Sequence, residues 1–473
     1  MRKDSKYDLI IVGGGTAAFA AALKANDYGI KSAMVERGVL GGTCVNVGCI
    51  PSKHLLGAGE MLYSSKYPMY ASISSCESKF DFAKTIADKD YLVKTLRKEK
   101  YYEVIDGLNI DLIGGQASFV SEKQIKVNGK VIEADKYIIA TGSSPSVPPT
   151  KGIDKVDYIT SKDALSLKQR PSSTIVIGGR TLGLEFAQMY SRFGTKVTIL
   201  QRSDRIAPDL EPNISDALYQ YLTEEGIEIV TGVHIKEIYQ KNDTKFVSVP
   251  QSNSHECSRI FEAEQLLMAT GRKPNTEDLH LDNAGVRIRG KDGAVMVNSE
   301  MHTSAPNIWA SGDVTGEPML ESLAAKEGAI AAQNALTGSH KRVDFLSVPS
   351  AIFTSPQVAS VGLTEYQAME KYGYCLCRTL EMKEVPKGRT INQTRGLIKM
   401  VVDSKKDNRI LGVHILADLA ADMIHEAVMA IKYRLTTDDI IDTVHVFPTM
   451  SEAIKLVATS FKQDVRKLSC CAE

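Results

Sequence analysis

Two cysteine pairs in this chain have the types and spacing to do chemistry. The first, Cys44 and Cys49, stands in "VLGGTCVNVGCIPSKHLL". The turn Gly41–Gly42–Thr43 leads into what reads as a helix start, where the positive end of the helix dipole stabilises a thiolate. Lys53 lies four residues beyond Cys49, hence on the same helical face, and adds positive charge there. Zinc is a poor fit, because no second cysteine or histidine pair follows at finger spacing. These residues predict a redox dithiol. The second pair, Cys470 and Cys471, closes the chain in "RKLSCCAE". Adjacent Cα atoms lie ~3.8 Å apart, short of the roughly 4.4–6.8 Å that an unstrained disulfide spans. The terminal pair is therefore no structural staple. It is either incidental to a chain end or a soft-metal ligand.

Elements able to position the first pair surround it. "YDLIIVGGGTAAFAAALKANDYGIKSAMVER" reads as a buried strand, Gly13, Gly15 and Ala18 in a G-x-G-x-x-A turn, a helix, and a strand ending at Glu36. The first small residue makes the turn, the second admits a pyrophosphate, and the third lets helix and strand pack closely. Glu36 is placed to accept from a free ribose 2′-hydroxyl. The pattern repeats in "STIVIGGRTLGLEFAQMYSRFGTKVTILQRSDR", with Gly178, Gly183 and a strand ending at Gln201. Glu36 and Gln201 stand at the same offset, 23 residues after Gly13 and Gly178 respectively. The second unit thus lacks the acid and offers Arg202 and Arg205 instead, which suit a 2′-phosphate and predict NADPH. Arg180 occupies the place of its second glycine, and must either bend away from the pyrophosphate or contact it. Closing turns follow at Thr141–Gly142 in "YIIATGSSP" and Gly271–Arg272 in "LLMATGRKPN", and a further Gly-Asp turn at Gly312–Asp313.

The 473 residues suffice for about three domains with large cores. Basic and acidic residues balance at 57 each, so no nucleic-acid partner is indicated. No window reaches the ~20 apolar residues of a membrane span, and the glycine-broken N-terminus is not an export segment. Eight cysteines without an export signal point to reduced thiols and to the cytoplasm.

"GGTCVNVGCIPSK" resembles the redox-active segment of the flavin-dependent pyridine nucleotide–disulfide oxidoreductases, and the resemblance runs through nearly the whole chain. It implies an α/β fold of glutathione-reductase type: two Rossmann-like doubly wound domains, for FAD and NADPH, plus a C-terminal α+β dimerisation domain. The expected boundaries are 1–150 and 272–345 for the FAD domain, 151–271 for the NADPH domain and 346–473 for the dimerisation domain. By the same resemblance Gly42, Thr43 and Asp313 join the FAD contacts, Thr141, Gly142, Gly271 and Arg272 are cofactor contacts, and Lys53 pairs with Glu185 beside the flavin. Cys49 would be the thiolate facing the flavin and Cys44 the exchanging thiol. A homodimer would complete each active site from both subunits.

One departure narrows the substrate. Disulfide reductases of this family usually read H-x-H-P-T-x-S-E where this chain has "HVFPTMSE". The second histidine, oriented by the glutamate, is the acid–base for thiol–disulfide exchange. Here Phe447 replaces it, while His445 and Glu452 remain. A leaving thiolate, of pKa ~8.5, needs that proton. At Phe447 and at Cys470–Cys471 the chain resembles the mercury(II)-reducing members, which lack the histidine and end in a cysteine pair, although bacterial ones typically have tyrosine at 447. The resulting expectation is an NADPH-dependent flavoenzyme that reduces mercury(II), with Cys470 and Cys471 of one subunit passing the metal from small-thiol complexes to Cys44 and Cys49 of the other. The rivals are a large thioredoxin reductase, a dihydrolipoamide dehydrogenase, or a non-enzymatic thiol-based mercury-sequestering protein. Cys375 and Cys377 alternate as in a strand and read as buried on one face, with accessory metal binding as the other reading. The charged stretch 94–103 reads as a solvated helix face.

Overall fold

The computed structural model describes residues 6–76, 79–251 and 254–467; Cys470 and Cys471 lie outside the described residues. Contacts divide the chain into two compact units, each described by itself.

The first unit comprises the residues up to His54, Ile86–Val147 and Thr270–Val343. Its central strand β1 (Lys6–Val12) is buried from Leu9 onward, as a parallel strand covered on both faces must be. The helix α1 (Thr16–Asp27) follows, its buried alanines 17, 18, 21, 22 and 25 allowing close packing. β2 (Ser32–Glu36) then pairs in parallel with β1, Leu9 opposite Ser32 and Val12 opposite Val35. The seven-stranded sheet extends through β2 to Ile110–Gly114 and through β1 to Lys130–Ile139. The last strand also carries the antiparallel hairpin 117–127 and, in parallel, Ile308–Ala310. Ile10, Val35, Phe119, Tyr137 and Ile139 fill the core. The turn after β1 closes only on glycine: Gly13 has φ +126°, and a Cβ there would lie 2.2 Å from the Ala140 carbonyl oxygen. After β2 come α2 (Gly42–Val47) and α3 (Cys49–Lys66), two helices where the sequence suggested one start.

The second unit comprises Leu55–Thr85, Pro148–Ala269 and the chain from Asp344 on. A four-stranded parallel sheet runs in the order Glu228–Val230, Lys196–Leu200, Ser173–Ile177, Gln265–Met268. The helix Thr181–Arg192 packs so tightly on its first turn that a Cβ on Gly183 would stand 1.8 Å from the Gly178 carbonyl oxygen. Further along the chain, a five-stranded antiparallel sheet places Ser350–Ile352, Gln357–Gly362, Arg409–Ala417, Leu397–Asp403 and Leu376–Glu381 side by side. Helices Ala420–Tyr433 and Glu452–Thr459 close a core of Ile398, Met400, Val413, Ile415, Ile424 and Val457 around it. Among the described residues no helix is long and apolar enough to cross a membrane.

Candidate active site

Cys44 sits inside α2 and Cys49 opens α3, so the break at Gly48 turns two thiols of one short segment toward each other. Neither is in a disulfide; Cys44 is half-buried and Cys49 exposed. Asn46 stitches the loop beneath them, its amide donating to the Leu40 and Gly42 carbonyls at 2.9 and 2.8 Å. The two cysteines are chemically unequal. A hydrogen bond with Cys49, reinforced by burial and by the Cys49 and Glu321 charges, pushes the Cys44 thiol far above its ordinary value. Cys44 therefore keeps its proton, while burial pushes the Arg272 guanidinium below its ordinary value against the opposing pull of Asp313 and then of Cys49.

Arg272 belongs to a partly buried polar lattice. Its Nε donates to the Ser143 hydroxyl (2.7 Å) and a terminal nitrogen to the Ser143 carbonyl (2.7 Å), with Thr43 Oγ1 at 3.5 Å. The Ser143 hydroxyl donates in turn to Asp313, which lies 3.9 Å from Arg272. Thr141 and Asn275 exchange hydrogen bonds of 2.7 and 2.8 Å, and the Asn275 N–H donates to the Gly142 carbonyl. The closing turns singled out in the sequence thus meet, through Ser143 and Asn275, which the motifs alone did not reveal. Glu327 accepts from the Gly312 N–H at 2.7 Å, and burial pushes its carboxyl up to about 7.

Most charged residues of the stretch 94–103 are solvated on helical turns, as expected, but the Tyr101 side chain is not. Lys98–Tyr102 forms a π-helical turn that swings Tyr101 inward, edge-to-face on Phe19 at 4.8 Å and against Gly41. Burial raises the Tyr101 phenol. An alternation of charges could not reveal this; the turn's extra residue per helical step rotates one side chain out of register.

Both nucleotide turns fit their groups. α1 and the helix Thr181–Arg192 begin at Gly15 and Arg180 with no side-chain cap and no acid in the first turn, leaving backbone N–H groups to bind a pyrophosphate. Glu36 lies against the first turn, its carboxylate accepting from the Gly38 N–H at 2.6 Å. In the second, Gln201 is turned inward: its oxygen accepts from the Gly179 N–H at 2.7 Å and its amide donates to Ser203. Arg205 pairs with Asp216 at 3.5 Å, and Arg202 is exposed, with no ion pair among the described residues. Arg180 is accommodated because its φ of −100° needs no glycine, and its side chain bends away to Asp209. Glu185 is buried, accepting from the Phe353 N–H at 2.9 Å.

At the far end of the chain Phe447 is exposed. His445 is committed through both ring nitrogens, Nδ1 with the Thr443 carbonyl at 2.9 Å and Nε2 with Glu426 at 2.8 Å. Glu452 keeps a buried carboxylate oxygen with no hydrogen-bond partner among the described residues.

A paired Rossmann fold with a dithiol on the first unit defines the class. Residues 7–328 match the model of the pyridine nucleotide-disulphide oxidoreductases and residues 348–458 that of their dimerisation domain. The chain belongs to this family of FAD-containing, NADPH-using oxidoreductases. Within it, the chain is similar to mercuric reductases. It is 42% identical to that of Lysinibacillus sphaericus and 43% to that of Staphylococcus aureus, each over 99% of this chain and 85% of the relative. That of Shigella flexneri is 36% identical over 98% and 82%. Among solved structures, the copper(II) complex of the HOCl-induced flavoprotein disulfide reductase RclA from Escherichia coli superposes with TM-score 0.85 at 31% identity, covering 97% of this chain and all of that one.

Proposed function

We propose that the protein reduces mercury(II) to elemental mercury with electrons from NADPH, taking the metal from small-thiol complexes, as a homodimer in the cytoplasm. The observation that carries this reading is an intact dithiol combined with Phe447 where a disulfide reductase needs its proton donor. FAD, when bound, supplies the two-electron relay between nicotinamide and dithiol. Gly13, Gly15, Ala18, Glu36, Gly42, Thr43 and Asp313 would hold it, with Lys53 paired to Glu185 alongside, and Gly178, Gly183, Arg202 and Arg205 would hold NADPH.

The chain's own groups do the rest. Mercury(II) arriving as a bis-thiol complex exchanges one ligand for the Cys44 sulfur, and the departing small thiolate takes the Cys44 proton. The Cys49 sulfur then displaces the second ligand, which leaves as the small thiol. No separate acid is needed, because the proton that Cys49 and Glu321 keep on Cys44 is the one the leaving group requires. The overall balance is Hg(SR)₂ + NADPH + H⁺ → Hg⁰ + NADP⁺ + 2 RSH. Cys470 and Cys471 of the partner subunit would present the metal, since adjacent thiols at a chain end can exchange ligands with a soft cation.

NADPH oxidation by the flavin-loaded protein, with mercury(II) chloride in excess small thiol and volatile metal trapped, tests the reading. Metal released in step with oxidation is expected. Turnover of thioredoxin or lipoamide without any mercury response would overturn it, as would tight mercury binding without NADPH consumption. Copper(II) in a parallel arm, prompted by the RclA complex, would overturn the choice of metal if it drove faster oxidation than mercury(II).

A further inference from the structure

A second group of soft ligands lies in the second unit, remote in sequence from the dithiol. Cys377 stands in the edge strand Leu376–Glu381 and Cys375 immediately precedes it, so the two share one face. Both are half-buried rather than buried, a departure from the sequence reading. Their sulfurs are 3.8 Å apart, well beyond the ~2.05 Å of a disulfide bond. Glu365, the first residue of helix Glu365–Tyr372, completes a set whose ligand atoms all lie within 4.8 Å of one another. Its carboxylate is oriented from behind by Lys399, at 2.6 Å, which also binds the buried Glu211 at 2.7 Å.

We propose that Cys375, Cys377 and Glu365 form a metal site for a thiophilic d¹⁰ dication, with a fourth position open to water or a small thiol. A metal–sulfur bond of ~2.3 Å and a tetrahedral angle place two sulfurs ~3.8 Å apart, so the thiols already stand at the edge length of a zinc-type tetrahedron. A carboxylate as third ligand and an open fourth position complete that geometry. Binding releases both thiol protons: 2 RSH + M²⁺ → M(SR)₂ + 2 H⁺.

Zinc(II) and mercury(II) share this chemistry and serve as the two probes. The flavin-loaded, unmodified enzyme is alkylated with iodoacetamide with and without each cation, and labelling is read by peptide mass spectrometry. Zinc(II) should slow modification of Cys375 and Cys377 about tenfold or more, leaving the exposed Cys76 unaffected. Protection by mercury(II) that extends equally to Cys76, with none by zinc(II), would overturn the site. Equal labelling of both cysteines under every condition would overturn it. In a second measurement, a background with Cys44, Cys49, Cys470 and Cys471 replaced by alanine should retain about one zinc per chain on dialysis, and Cys375→Ser/Cys377→Ser should lose it. Equal zinc in both would also overturn the site.

Discussion

The Cys44 thiol is held far above its ordinary value first by its hydrogen bond with Cys49 and by burial, and a carboxylate from far along the chain adds to this. Glu321 begins the helix Glu321–Thr337 and its charge raises the Cys44 thiol. Glu321→Gln should therefore shift the pH profile of Cys44 alkylation in the reduced enzyme downward, by up to about one pH unit. An unchanged profile would remove Glu321 from the account. Glu327, on the same helix, gives a stability signature. Its carboxyl titrates at about 7 in the fold against an ordinary 4.5, chiefly through burial. The protonated form is thus favoured on folding. Its contribution is full below pH 4.5 and is lost as pH rises through about 7, amounting to about 3 kcal/mol. Glu327→Gln keeps an acceptor for the Gly312 N–H and removes the charge. Denaturant unfolding at about pH 5 and about pH 8 should show the wild-type difference shrink in the variant. Neither glutamate was legible in the sequence, because nothing local distinguishes a helix acid that faces a thiol from one that faces water. Ser143 and Tyr101 escaped for similar reasons: a polar lattice and a rotated turn exist only once the fold brings distant segments together.

Strand–turn–helix elements were far more legible. The runs at Leu9–Val12 and Ile175–Ile177 are apolar because both sheet faces are covered, and the small residues between strand and helix answer a contact distance rather than a propensity. Gly183→Ala would drive a Cβ into the Gly178 carbonyl and should destabilise the second nucleotide unit by about 2 kcal/mol or more, read as a lower midpoint of unfolding. The offset between Glu36 and Gln201 also distinguished the two nucleotides, but for a reason the sequence only half disclosed. Gln201 is spent on the Gly179 N–H, so in the proposed reading discrimination would fall to Arg202, exposed beside it. Arg202→Glu should raise KM for NADPH about tenfold or more, with kcat little changed, and narrow the preference over NADH. An unaltered KM would place the phosphate on Arg205 instead. What the pattern could not give was the division of the dithiol segment into α2 and α3, since a single helix through Cys44 and Cys49 satisfies the same periodicity.

At the scale of the whole molecule the proposed reaction belongs to a dimer, and that makes the delivery route testable without observing it. Suppose one chain carries Cys44→Ala/Cys49→Ala with its terminal cysteines intact, and another carries Cys470→Ala/Cys471→Ala with its dithiol intact. Each homodimer should fail with thiol-bound mercury(II), the first for want of a reducing dithiol and the second for want of delivery. In a hybrid dimer the intact tail of the first chain faces the intact dithiol of the second if delivery crosses the subunit boundary, and one complete site is restored. Random mixing in equal amounts makes about half of the dimers hybrids, each with one working site of two, so about a quarter of wild-type turnover should return. Delivery within a subunit restores nothing, because no chain then holds both pairs. Activity in the unmixed tail variant would instead remove the delivery role altogether, leaving reduction to the Cys44–Cys49 centre acting on its own.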